Sequence, residues 1–443
     1  MSKEKPLVII HGWSDGFASF KRLAHIVEEK LQRKAKHINL ADYISMDDEI
    51  TFDDLVTAMM CAWRKHKLPE VPYSVDVIVH STGGLIIRDW LVRYFRPDTS
   101  PVKNLLMLAP ANFGSPLAHK GQAFYGRIIK GFRSKKMFQI GKKILQGLEL
   151  ASPYAWQLAM KDRFGSKSFY GPGKVLCTVL IGNTGYSGIS AAANEDGADG
   201  TVRAASANMN CDLLEVDFSD DPLKPKVKSQ TSKGTCAFAI IDKENHSTIV
   251  FKDGGPKNDI TLEYILGALR VGDNEFSSWQ KKLSKYTDGV VEQGVSDQSL
   301  HGFQNAVFFV HDQFKQHIKD YFVEFYTADK RQRWLTQYFY EDVIRNIHAY
   351  GDDNSFRSVY IDCTNLYSQL DKNWEHLNVS LTALPEFKQN KNVGYRTFTD
   401  EDIGSLVIPK GHIPRYFKSN RTLLVRMILR REQAEHVFQL NPL

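Results

Sequence analysis

Through the first 270 or so residues, short apolar β-branched runs alternate with segments whose apolar positions recur every three to four residues. Pro6–Ile10 is such a run and stops at His11-Gly12; Phe20, Leu23, Ile26, Val27 and Leu31 then share one helical face, which predicts strand, loop, helix. Lys36–Leu40 reads as a second strand. Thr51, Asp53 and Asp54 place a side-chain acceptor and negative charge where the first N–H groups of a helix lack partners, so a helix is expected over Leu55–Trp63. Val75–Val79, Val102–Leu108, Lys174–Ile181 and Thr235–Ile241 predict four more strands, with helices over Thr82–Phe95 and Ile260–Leu269. Continuous apolar strands alternating with amphipathic helices predict an α/β fold, a mostly parallel sheet with helices on both faces.

The texture changes after about residue 272. Ala306–Val310, Tyr321–Tyr326, Ser358–Ile361, Leu377–Leu381, Leu406–Ile408 and Leu423–Leu429 are short, β-branched or aromatic, and separated by turn-rich stretches, which predicts a β-sandwich-like domain. The expected organisation is a catalytic domain over 1–271, a polar linker over 272–298 and an accessory domain over 299–443. Phe308, Phe309, Phe322, Phe325 and Tyr326 are expected in the sandwich core, and Asp352-Asp353-Asn354 as a turn rather than a calcium loop.

With 443 residues, 42% hydrophobic and 24% charged, the chain has room for two cores, and disorder is excluded as its main state. Lys and Arg exceed Asp and Glu by 57 − 51 = 6, too mild an excess to point to nucleic acid. Five scattered cysteines without a C-x-x-C pair read as reduced thiols rather than a disulfide framework. Neither the start of the chain nor any later run has the apolar length of a signal peptide or a membrane span. A cytoplasmic protein is expected, or one exported by a signal-independent route.

Val77-Ile78-Val79-His80-Ser81-Thr82-Gly83-Gly84-Leu85 is a buried strand meeting a helix with a serine at the junction. A serine there projects its hydroxyl beside a helix N-terminus that favours developing negative charge, and the two glycines allow close strand–helix approach. Val79 stands where the usual G-x-S-x-G pattern has its first glycine. Ester cleavage needs two N–H donors for the oxyanion; Thr82, after the serine, and Trp13, in the loop behind the first strand, are the candidates. The hydroxyl also needs a histidine base, and the base a carboxylate, in the chain order Ser, acid, His. His119 comes too early for that order, whereas His246 follows the last strand on a polar loop. Among Glu195, Asp196 and Asp199, the tight Asp199-Gly200-Thr201-Val202 turn favours Asp199, with Asp196 the alternative; the remaining acids are expected as solvated loop charges.

His11-Gly12-Trp13, His80-Ser81-Thr82-Gly83-Gly84-Leu85, the run from Leu108 to Ala118, Asp199-Gly200-Thr201-Val202 and Asn245-His246 together resemble α/β-hydrolases of the lipase type, in the subgroup of class-2 lipases and glycosylphosphatidylinositol inositol-deacylase-like serine esterases. The resemblance implies Ser81 as nucleophile, His246 as base, Asp199 as its orienting acid, Trp13 and Thr82 as oxyanion donors, no cofactor and no metal, and a carboxylic ester substrate, often a lipid. It covers about 60% of the chain and says nothing of the rest.

The segment 115–168 sits where such enzymes carry a cap or lid. Lys130, Arg133, Lys135, Lys136, Lys142 and Lys143 interleave there with aromatic and aliphatic residues, a pattern that suits contact with an anionic membrane and equally a solvated helix face. Rival readings are an acyltransferase using the same acyl-enzyme, an exported antibacterial lipase, and a non-catalytic binding protein. The C-terminal domain is expected to dock substrate or a protein partner.

Overall fold

The computed structural model describes residues 5–11, 20–44, 47–118, 141–188, 191, 194–326, 337–373, 376–384 and 406–431. They form two compact units: residues 1–211 with 232–301, and residues 212–231 with 302–443.

In the first unit, β1 (Leu7–His11), α1 (Lys21–Leu31), β2 (Ala35–Asn39), α2 (Phe52–Lys65), β3 (Val75–His80), α3 (Gly83–Tyr94) and β4 (Val102–Leu108) follow in order. After them come α4 (Lys142–Leu148), α5 (Pro153–Asp162) and β5 (Leu176–Gly182). The chain then runs through β6 (Cys211–Asp217), β7 (Lys226–Thr231), β8 (Ala237–Ile241), α6 (Ile260–Arg270) and α7 (Phe276–Gln293). Six strands pair in parallel in the order β2-β1-β3-β4-β5-β8. Every residue of β3, β4 and β5 is buried, as a sheet covered on both faces requires. Thr51 caps α2 through a reciprocal bond pair with Asp54, a capping box at the helix start expected there.

Two expectations about domain limits are corrected. The stretch 272–298 is no linker: most of it is α7, whose buried Phe276, Leu283, Thr287 and Val290 recur at helical spacing beneath an otherwise polar surface. Thr287 Oγ1 accepts from Ile240 N at 3.1 Å and Trp279 Nε1 donates to Thr178 Oγ1 at 3.0 Å, so the helix is part of the first unit. The hairpin β6–β7 belongs to the second unit although it lies between two segments of the first. It escaped the sequence reading because β7 is exposed at every position and carries no apolar signal.

The second unit adds β9 (Phe303–Asp312), β10 (Asp320–Tyr326), β11 (Ile344–Ala349), β12 (Phe356–Asp362), helix α8 (Cys363–Asn373), β13 (His376–Leu384), β14 (Leu406–Pro409) and β15 (Arg421–Leu429). A six-stranded sheet, β11-β12-β9-β15-β6-β7, and a three-stranded one, β10-β13-β14, share one apolar core. Phe308 and Phe325 lie in it; Phe322, expected there, is 56% exposed, because alternation along β10 turns it to the opposite face. Phe309 stacks on Phe356 at 4.2 Å outside that core. Asp353 stands in a turn, accepting from Ser355 N and paired with His317. Among the described residues no helix is long and apolar enough to cross a membrane.

Candidate active site

The chain turns sharply between β3 and α3. Ser81 sits at that turn with φ +55°, a left-handed conformation that a serine adopts only where its surroundings enforce it. Its N–H donates to Leu108 O at 3.1 Å, and its carbonyl accepts from Gly84 N at 3.0 Å and Ala111 N at 3.3 Å, so the end of β4 clamps the turn. A Cβ on Gly84 would lie 2.6 Å from Pro110 Cβ, which is why glycine is required in the first turn of α3.

His246 lies on the loop after β8. Asn245 shapes that loop, its Oδ1 accepting from Ser247 N and Thr248 N at 2.9 Å each. The His246 Nε2 is 3.0 Å from Ser81 Oγ and its Nδ1 is 2.9 Å from Asp199 Oδ2. A carboxylate can only accept, so Nδ1 carries the proton and Nε2 is left to accept from the serine hydroxyl. The main chain adds a third tie, His246 N donating to Asp199 O at 3.0 Å.

Asp199 is fully buried, and its Oδ1 takes the N–H groups of Thr201 at 2.9 Å and Val202 at 2.7 Å. Gly200 makes the turn at φ +89°, where a Cβ would strike the Tyr186 ring at 2.7 Å. Both oxygens of Asp199 are thus committed, one to the turn and one to the imidazole. Asp196 is a half-buried neighbour on the preceding turn and makes no bond to His246. Glu195, expected as a solvated charge, is instead ion-paired at 2.7 Å with Arg203, whose side chain is 1% exposed. A buried guanidinium demands such a partner, and the pair braces the acid turn.

Thr82 N, beside the serine, has no hydrogen-bond partner among the described residues. Trp13, the other expected donor, and His119 lie outside the described residues, as do Lys130, Arg133, Lys135 and Lys136. Lys142 is exposed, and Lys143 pairs with Glu49. Beneath the site, Arg88 of α3 makes two bonds to Asp162 at the end of α5, at 2.8 and 2.9 Å, with both side chains wholly buried. Burial alone would oppose the Arg88 charge, but Asp162 more than offsets it and holds the guanidinium above its usual pKa. Removing either partner from such a pair costs about 3–5 kcal/mol. Sequence reasoning missed this brace because its partners are far apart in the chain. Among the described residues no group of three or more His, Cys, Asp or Glu side chains is arranged to hold a metal ion.

No protein-family model and no curated protein matches the chain. Among solved structures, phospholipase PlaB from Legionella pneumophila is similar over 99% of this chain and 97% of its own, with a TM-score of 0.80 and 23% identity. The same phospholipase in complex with thio-NAD is similar over the same shares, with a TM-score of 0.80 and 22% identity. At this identity the likeness is one of fold: a six-stranded parallel sheet with helices, followed by further sheets.

Proposed function

We propose that the chain is a serine hydrolase of carboxylic esters, of the lipase or phospholipase kind. The observation that carries this reading is the hydrogen-bonded line from Ser81 Oγ through the His246 ring to Asp199, with the serine held at a strained strand–helix turn. In the first step Oγ attacks the ester carbonyl while its proton passes to His246 Nε2. The imidazolium that forms is stabilised by buried Asp199, and the new oxyanion meets the N–H of Thr82. Trp13 is the proposed second donor. His246 then hands the proton to the departing alcohol, leaving Ser81 acylated. Water, deprotonated by the same nitrogen, releases the acid and restores the serine.

A lipid substrate is favoured by the fold shared with a phospholipase and by the basic and aromatic insertion of residues 115–168. The acyltransferase alternative uses the same acyl-enzyme and differs only in the acceptor. Incubation with phospholipid vesicles and a competing alcohol separates the two, with products identified by mass spectrometry. Free fatty acid as the main product is expected; ester of the added alcohol in excess over free acid assigns the transferase, and intact lipid in both arms contradicts lipid cleavage.

A further inference from the structure

We propose that His80 is a positioning residue for His246, acting through a hydrogen bond to the main chain of the base. The kinetic part of this proposal rests on the hydrolase reading; the geometric part does not. His80 is the last residue of β3, immediately before Ser81, and is 1% exposed. Its Nε2 lies 3.1 Å from the carbonyl oxygen of His246, a contact spanning 166 positions of chain. A carbonyl only accepts, so His80 carries its proton on Nε2 and donates. The two rings lie 4.5 Å apart at 45°, and Phe20 meets the His80 ring edge-on at 5.5 Å.

Among the described residues, the remaining hydrogen bonds of His246 run to Asp199 or to Ser81 itself. Asp199 sits on a separate turn, so among the described residues the His80 bond is the one hydrogen bond from His246 to β3 and its turn that the reaction does not break. The His80 link ties the backbone of the base to the strand that presents the serine. That strand is buried along its whole length and is hydrogen-bonded on both sides. The separation of Oγ and Nε2 is thereby tied to β3 as well as to the loop over residues 242–252, which Thr184 N and Asn183 Oδ1 also hold. This matters in both halves of the turnover, because the same nitrogen takes a proton from Ser81 and gives it to the leaving group, then takes one from water and returns it to Ser81. Misplacement of a catalytic group by about 1 Å costs on the order of a hundredfold in rate.

Two variants separate the donor from the ring. His80→Phe keeps an aromatic ring and loses the N–H; His80→Gln loses the ring and keeps an N–H able to reach the carbonyl. Ester hydrolysis is measured on both, per mole of folded protein. For His80→Phe we expect kcat to fall about 30- to 100-fold with KM changed less than about threefold, and for His80→Gln kcat within about fivefold of the unmodified chain. An unchanged kcat in His80→Phe, or equal losses in both variants, overturns the proposal. Should His80→Phe not fold, imidazole nitrogen spectra of the unmodified chain decide: a proton on Nε2 of His80 protected from exchange is expected, and a proton on Nδ1 alone overturns the assignment. If the unmodified chain cleaves no ester, the hydrolase reading fails, and the same spectra still decide the positioning claim.

Discussion

Replacing Ser81 by alanine is expected to lower kcat for ester hydrolysis by about a millionfold, with cooperative melting within a few degrees of the unmodified chain. The size of the effect follows from what the hydroxyl does. Without Oγ no acyl-enzyme forms, and His246 Nε2, 3.0 Å away, has no proton to take. What survives is the slow attack of water on a carbonyl still polarised by the oxyanion donors. Stability is spared because the turn at Ser81 is held by backbone bonds from Gly84, Ala111 and Leu108, none of which involves the side chain. Initial rates on a short acyl ester, alongside a thermal melt, measure both halves of the expectation.

Asp199→Asn is expected to lower kcat by about 10⁴-fold, and the cause is a tautomer. Asp199 Oδ1 faces the N–H groups of Thr201 and Val202, and Oδ2 faces His246 Nδ1. In the asparagine the carbonyl oxygen must take the first place, since two N–H donors cannot face an amide N–H2. The amide nitrogen then points at Nδ1, which has to accept. The ring proton moves to Nε2, and Nε2 can no longer receive the proton of Ser81. Asp196→Asn changes no bond to His246 and is expected to leave kcat within about threefold. Parallel kinetics on the two variants test the choice of acid; a larger loss from Asp196→Asn would reverse it.

The parts of this protein that were legible in the sequence are those written in local pattern. A buried run ending in His80-Ser81 with Gly83-Gly84 behind it can only be a strand turning tightly into a helix, and chain order after it points to the loops that hold Asp199 and His246. The Asp-Gly-Thr-Val turn was readable because glycine there releases the backbone to φ +89°. What escaped depends on partners distant in sequence. Arg88 and Asp162 form a pair only because α3 and α5 are neighbours, and Glu195 is held by Arg203 because the turn folds back on itself. His80 reaches His246 only when β3 and the loop after β8 converge. Helix α7 was mistaken for a linker because its buried positions are few among polar ones, and the β6–β7 hairpin was overlooked because one of its strands is wholly exposed. The hairpin lies in the chain between Asp199 and His246, so the acid and the base reach each other across an excursion into the second unit.

The proposed hydrolysis depends on activation of the Ser81 hydroxyl by His246 for attack on an acyl carbon. A fluorophosphonate probe reports on this directly, since it forms a covalent adduct only with an activated nucleophile, and the adduct is located by mass spectrometry of the digested protein. Stoichiometric labelling confined to Ser81 is expected, lost in His246→Ala and slowed in Asp199→Asn. An unlabelled protein, an adduct on another residue, or labelling of Ser81 that persists undiminished without His246 would contradict it.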